Sequence, residues 1–205
     1  MKSFRLLGKV ALVLVGLSAI AAAFFAEATT PAKLSREALT KLVNDGNFKD
    51  AYEGLRVLAV DPKSDPLLVG QDLNMAVSCL ENLGRVDEID ELRESIIAAH
   101  PKNWRLLLAA ANSYSNHQGY GSIVAGKFYR GPHRAGGKYV SSLERDRARA
   151  LQLMVQAMPL VDKEPKKNEA AEFYFSLARI LMANREHFEA WRLQTLTDLT
   201  TLPDY

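Results

Sequence analysis

The stretch DGNFKDAYEGLRVLAVDP, residues 45–62, decides how the chain is read. It opens on a turn at Gly46, continues through an aromatic residue, Phe48, and a small one, Ala51, and closes on Asp61-Pro62 after Leu55 and Leu58. The apolar spacing is helical, and proline ends a helix because it has no backbone N–H to donate. The pattern returns in NLGRVDEIDELRESIIAAHP, residues 82–101. There Gly84, Val86, Ile89, Leu92, Ile96, Ile97 and His100-Pro101 hold equivalent places. The two glycines are 38 residues apart and the two prolines 39. Such self-similarity marks stacked helical hairpins, each with an apolar face that only the next can cover. A third unit starts at Asn103-Trp104, with Leu107, Leu108, Ala111 and Tyr114 at helical spacing and a turn at His117–Tyr120. Its second helix resumes near Ser142 and runs to Leu160. After the polar linker VDKEPKKN (161–168), a fourth unit has Phe173, Leu177, Ile180 and Leu181 in its first helix. A turn at Asn184–His187 and a second helix through Phe188, Trp191, Leu193, Leu196 and Leu199 complete it. The expected fold is all-α: roughly eight helices in four antiparallel hairpins, stacked as a short solenoid, with no strand.

Gly46, Phe48, Ala51 and Pro62 match the turn, aromatic, small and terminal positions of tetratricopeptide repeats. The spacing is a little longer than the typical 34 residues, and no unit has the tryptophan-leucine-glycine first-helix signature. A closer resemblance covers most of the chain beyond its N-terminal segment. NDGNFKDAYEGLRVLAVDPKSDP, QDLNMAVSCLENLGRVDEIDEL, HPKNWRLLLAAANSY and AGKFYRGPHRAGGKYVSSLERDRARALQLMVQAMP together resemble the N-terminal helical-repeat region of bacterial, planctomycete-type alpha-2-macroglobulin-like proteins. RGPHR, GGKYV and ERDRARALQLM carry it most specifically. The resemblance implies an exported protease-inhibitor module, normally followed by macroglobulin sandwich domains, which this sequence does not contain.

Residues 1–28 read as a signal peptide. Lys2, Arg5 and Lys9 precede the uncharged apolar run Val10–Phe25, and Ala26-Glu27-Ala28 places small residues before a cleavage site at Thr29. The alternative is an uncleaved anchor, but sixteen apolar residues fall short of the ~20 usual for a span. No cysteine follows the run, which argues against lipoprotein attachment. The whole chain of 205 residues carries 26 Lys+Arg and 24 Asp+Glu. Removing the three bases and Glu27 leaves 23 of each sign, so residues 29–205 have no net charge with which to attract nucleic acid. Export to a periplasm, cell envelope or extracellular space fits a chain whose single cysteine, Cys79, excludes an internal disulfide.

Candidate chemistry is sparse. Cys79-Leu80-Glu81-Asn82 falls one methylene short of the thioester motif that the resemblance brings to mind, and it lies on an amphipathic helix, where a buried structural cysteine is expected. His100, His117, His133 and His187 are scattered without metal-ligand spacing, and no nucleophile–base set or paired carboxylates stand out. No catalytic, cofactor or metal site is therefore expected. Asp87, Glu88, Asp90, Glu91 and Glu94 read as a solvated face, with an acidic docking patch as the other use. The exception to this plain pattern is GKFYRGPHRAGGKYVSSLERDRAR, residues 126–149. Six of the chain's twelve glycines lie between Gly119 and Gly137, and a Gly-rich basic loop is expected over 119–141. PHRAGGKY keeps the Gly-Lys of a phosphate loop but has Pro132 and Tyr139 where that motif needs glycine and Ser/Thr. Two uses remain for Tyr129, Arg130, His133, Arg134, Lys138 and Tyr139: tethering the loop to the scaffold, or binding a protein partner. The expected function is a non-catalytic exported scaffold for protein–protein interaction, its partners being downstream macroglobulin domains or an envelope protein. The alternative is a stand-alone tetratricopeptide-like adaptor of a cell-envelope complex.

Overall fold

A computed structural model describes residues 35–117, 119–133, 136–183 and 197–205. The expected signal segment at 1–28, Arg134, the expected turn at 184–187 and residues 188–196 of the expected last helix lie outside the described residues. The described chain is mostly helical, with a small sheet. The helices are α1 (Arg36–Asn44), α2 (Phe48–Val60), α3 (Val69–Asn82), α4 (Ile89–Ala99), α5 (Trp104–Ser115), α6 (Leu143–Val161) and α7 (Lys167–Met182). A short 3-10 turn, Val86–Glu88, leads into α4.

The glycine turns form for the reason their spacing suggests. At the first, the N–H of Gly46 bonds to the Val43 carbonyl and that of Asn47 to Leu42. At the second, Gly84 bonds to Glu81 and Arg85 to Leu80 in the same offsets. This is the Schellman closure, which satisfies orphan carbonyls at a helix end and needs a residue in the left-handed region. Gly46 and Gly84 supply it at φ 78° and 67°. Side chains at the other ends fix the entry angles. Asn103 accepts from the N–H groups of Arg105 and Leu106 and donates to the Pro66 carbonyl. His100 sits 2.9 Å from the Ala59 carbonyl, so a residue ending α4 satisfies the last turn of α2.

The helices pack on their neighbours in sequence and also one step beyond: α2 on α4, α3 on α5, and α5 on α7. Between them lies one apolar core, including Leu39, Leu55, Leu73, Ile96, Leu107 and Met154. Trp104 meets Phe173 edge-on at 6.2 Å, joining α5 to α7. The bidentate pair Arg36–Asp72 joins α1 to α3, and Arg105 with Glu164 and Glu169 again joins α5 to the α7 side.

Two sequence expectations are corrected. The fold is not all-α: the expected loop over 119–141 is an antiparallel three-stranded sheet. Its strands are β1 (Tyr120–Val124), β2 (Lys127–Arg130) and β3 (Lys138–Ser141), in the order β2-β1-β3. The glycines that suggested a loop are turn and packing residues of a sheet. Ala125 and Gly126 form a two-residue hairpin turn with φ of 49° and 80°, the positive-φ pair that matches strand twist. Gly121 lies under the Phe128 ring, where a methyl group would collide with that ring and with the Tyr129 carbonyl. Second, the chain at Leu199, expected in a helix, has no regular structure, although Leu199 still packs against the core.

Candidate functional site

The sheet stands between α5 and α6, and its two faces differ in chemistry. Register pairs Gly121 with Arg130 on one side and Val140 on the other, so these three share a face. That face is turned inward: Arg130 is 3% exposed and Val140 6%. Ser122 pairs with Tyr129 and Tyr139, which with Tyr120 make the opposite face.

Arg130 is the anchor of the insert. Its Nη1 and Nη2 donate to both carboxylate oxygens of Asp146, at 2.8 and 2.7 Å. Its Nε donates to Asp90, and Nη1 also reaches the Ser142 hydroxyl. Ser142 Oγ in turn donates to Asp146 at 2.7 Å. A strand, the start of α6 and the start of α4 are thus held by one guanidinium, whose planar fork suits two carboxylates at once. Burial works to lower the Arg130 pKa, but the bonds and charges of Asp146 and Asp90 outweigh it and hold it above its ordinary value.

The network extends inward. Asp90 also accepts from Arg93, a fully buried arginine that donates to the Ser113 carbonyl and hydroxyl and lies 4.5 Å from the Tyr114 ring centroid. Tyr114 donates to Glu94, which also takes a bidentate pair from Arg149. Burial, then the nearby carboxylates, push the Tyr114 hydroxyl well above its usual range. Burial would raise Glu94, but the hydrogen bonds from Arg149 and Tyr114 prevail and lower its pKa. His117 lies 3.0 Å from Glu81, with burial and then the charge of Arg93 holding its pKa down.

The sequence candidates therefore separate. Arg130 takes the first of the two uses left open, bonding within the scaffold. Tyr129 and Tyr139 lie on the opposite face of the sheet. Tyr139 is 69% exposed and stacks on Tyr120 at 5.7 Å, while Tyr129 lies against His133 at 4.6 Å. The acidic run is divided as well: Asp90 and Glu94 are engaged as above and Glu88 pairs with Arg85, while Asp87 and Glu91 stand exposed. Asp90, Ser142 and Asp146 were missed as site residues. Their signal was present in part, since Arg93 falls in helical register with Ile89, Ile96 and Ile97, and a charge on an apolar stripe must find a partner.

Elsewhere, Cys79 is buried in α3, and burial raises its pKa, which suppresses thiolate chemistry. A groove of about 490 Å³ runs between α2 and α4. Among the described residues, no group of three or more His, Cys, Asp or Glu is placed to hold a metal, and no helix is long and apolar enough to cross a membrane. Comparison with protein-family models, curated proteins and solved structures finds no match to the chain.

Proposed function

We propose that this chain is a non-catalytic, exported scaffold for protein–protein interaction, built as a short tetratricopeptide-like stack whose third hairpin carries a sheet. The observation that carries this reading is the repetition of geometry. Two hairpins close with the same hydrogen-bond offsets at Gly46 and Gly84, and alternate helices pack on each other. Repeats that contact mainly their neighbours present extended surfaces on which partners dock. The resemblance to the helical region of alpha-2-macroglobulin-like proteins supports the same reading and suggests where to look for a partner: macroglobulin domains or an envelope protein.

Two measurements test it. Sequencing the N-terminus of the chain recovered outside the cytoplasm should begin at Thr29; retention of the full chain in the cytoplasm refutes export. A photo-crosslinking residue placed in turn at Tyr139 and Val57, both exposed, should trap discrete adducts in cells at one position or both. Absence of any adduct at both positions overturns the scaffold reading.

A further inference from the structure

Helix α7 is apolar on two sides. Phe173 and Ile180 are buried against the core, yet Phe175 is 68% exposed, Met182 53% and Leu181 43%. Ala171 and Ala178 are exposed as well. At 3.6 residues per turn, Ala171, Phe175, Ala178 and Met182 fall within an arc of about 60° and make a stripe about 17 Å long. Tyr174 and Leu181 border the stripe on one flank, and the exposed residues Glu172 and Arg179 border it on the other. The Tyr174 hydroxyl donates to Asp162 at 2.7 Å, which fixes that ring on its flank. Exposed apolar side chains in a contiguous stripe with a polar border mark a contact surface.

We infer that this stripe is the interface of a two-fold homodimer, in which α7 packs antiparallel on α7 of a second copy. The order of residues along the helix selects that occupant. A two-fold interface is self-complementary: where one residue meets another, the second meets the first in return. With the axis between Ser176 and Leu177, Phe175 faces Ala178 of the second copy and Met182 faces its Ala171, so each large side chain meets a small one. Such pairs let two helices approach closely and interlock. The same operation sets each flank against itself. On one flank Tyr174 comes within about 3 Å, along the axis, of the level of the second copy's Leu181; on the other Glu172 comes as near the level of its Arg179. A parallel pairing in register would instead put Phe175 on Phe175, Ala178 on Ala178 and Glu172 on Glu172, with overcrowding, gaps and like-charge repulsion. An unrelated partner would not call for this palindromic order of large against small and acid against base. The inference goes beyond the scaffold reading, which needs no second copy.

Sedimentation velocity of the full chain should show a concentration-dependent dimer, with a dissociation constant of about micromolar order for so short a stripe. Phe175→Glu, at a position exposed in the single copy, should keep the parent circular dichroism and weaken the dimer about a hundredfold or more. Glu172→Arg and Arg179→Glu should each weaken it about fivefold, because each change sets like charges together twice across the axis. Their combination, Glu172→Arg/Arg179→Glu, should restore the parent dimer, which a mere disturbance of α7 would not do. A chain that stays monomeric throughout the micromolar range overturns the inference, whether its stripe is open or covered by something else. A dimer insensitive to Phe175→Glu, or one that the double change fails to restore, overturns it as well. None of these results bears on the scaffold reading, which the crosslinks at Tyr139 and Val57 test separately.

Discussion

Replacing Arg130 with alanine should be among the most damaging single changes in the insert, and the structure allows its size to be worked out. The substitution removes a 3%-exposed guanidinium bonded to Asp146, Asp90 and Ser142. Asp90 keeps a cation, because Arg93 still donates to it at 2.9 Å. The loss therefore falls on Asp146, whose side chain is 7% exposed. A buried carboxylate stripped of its partner costs about 3–5 kcal/mol. Two features soften this: Ser142 still donates to Asp146, worth about 1 kcal/mol, and Asp146 lies in the first turn of α6, where the helix dipole adds about 0.5 kcal/mol. The expected loss is about 1.5–3.5 kcal/mol, a large fraction of the stability of an ordinary domain. Urea unfolding followed by circular dichroism measures it, and hydrogen exchange of the strand amides shows whether the sheet detaches first. The partner variant makes the reasoning refutable. In the Arg130→Ala background, Asp146→Asn should restore about 1–2 kcal/mol by removing the orphan charge, whereas in the parent it should destabilise. A loss below about 1 kcal/mol for Arg130→Ala, or additivity of the two changes, would show that the pair does not anchor the insert.

Three further expectations follow from the same geometry. Ala125→Asn should stabilise the chain by about 0.5–1 kcal/mol in thermal or urea unfolding, since Ala125 sits at φ 49° in a hairpin turn that favours Asn-Gly; a destabilised variant would contradict the turn assignment. Because the Glu94 pKa is depressed on folding, its contribution is present above the ordinary glutamate value of about 4.3 and is lost as pH falls through the lower folded value. Glu94→Gln should flatten that acid limb, and an unchanged limb would assign it to other carboxylates. Cys79, with no exposed surface, should resist thiol reagents in the native protein and react fully in urea; rapid native labelling would refute its burial in α3.

What was legible in the sequence was the periodic part. Gly46 and Gly84 fixed where two hairpins turn, because no other residue adopts that φ as cheaply, and Phe173 and Ile180 marked the buried side of α7 through their spacing. The sheet was not legible because its alternation is brief and interrupted. Each strand has only four or five residues, two of the sheet's inward positions are Gly121 and Arg130, and the outward ones mix tyrosines and serines with Val124 and Lys127. A strand whose buried face holds a glycine and an arginine has no apolar–polar alternation to read. For Arg130 the sequence left tethering and partner binding both open; the carboxylates it meets, Asp90 and Asp146, are 40 and 16 residues away, and only the fold brings them together.

The same separation explains why the insert needs its anchor. Three residues join α1 to α2, whereas 27 residues, Asn116–Ser142, separate α5 from α6, which nevertheless pack directly. Flexible-chain closure of the longer connection costs about 2 kcal/mol more than closure of the short turn. The Arg130 cluster acts against that cost. Its carboxylates come from the start of α6 and the start of α4, and its guanidinium from the middle of the insert, so each bond shortens the effective loop and aligns α6 with the preceding hairpin. The buried ion pair then holds the third hairpin in register, a specificity role that buried charge can serve even where its net contribution to stability is small. With the inward face committed in this way, Tyr139 on the opposite face stays 69% exposed.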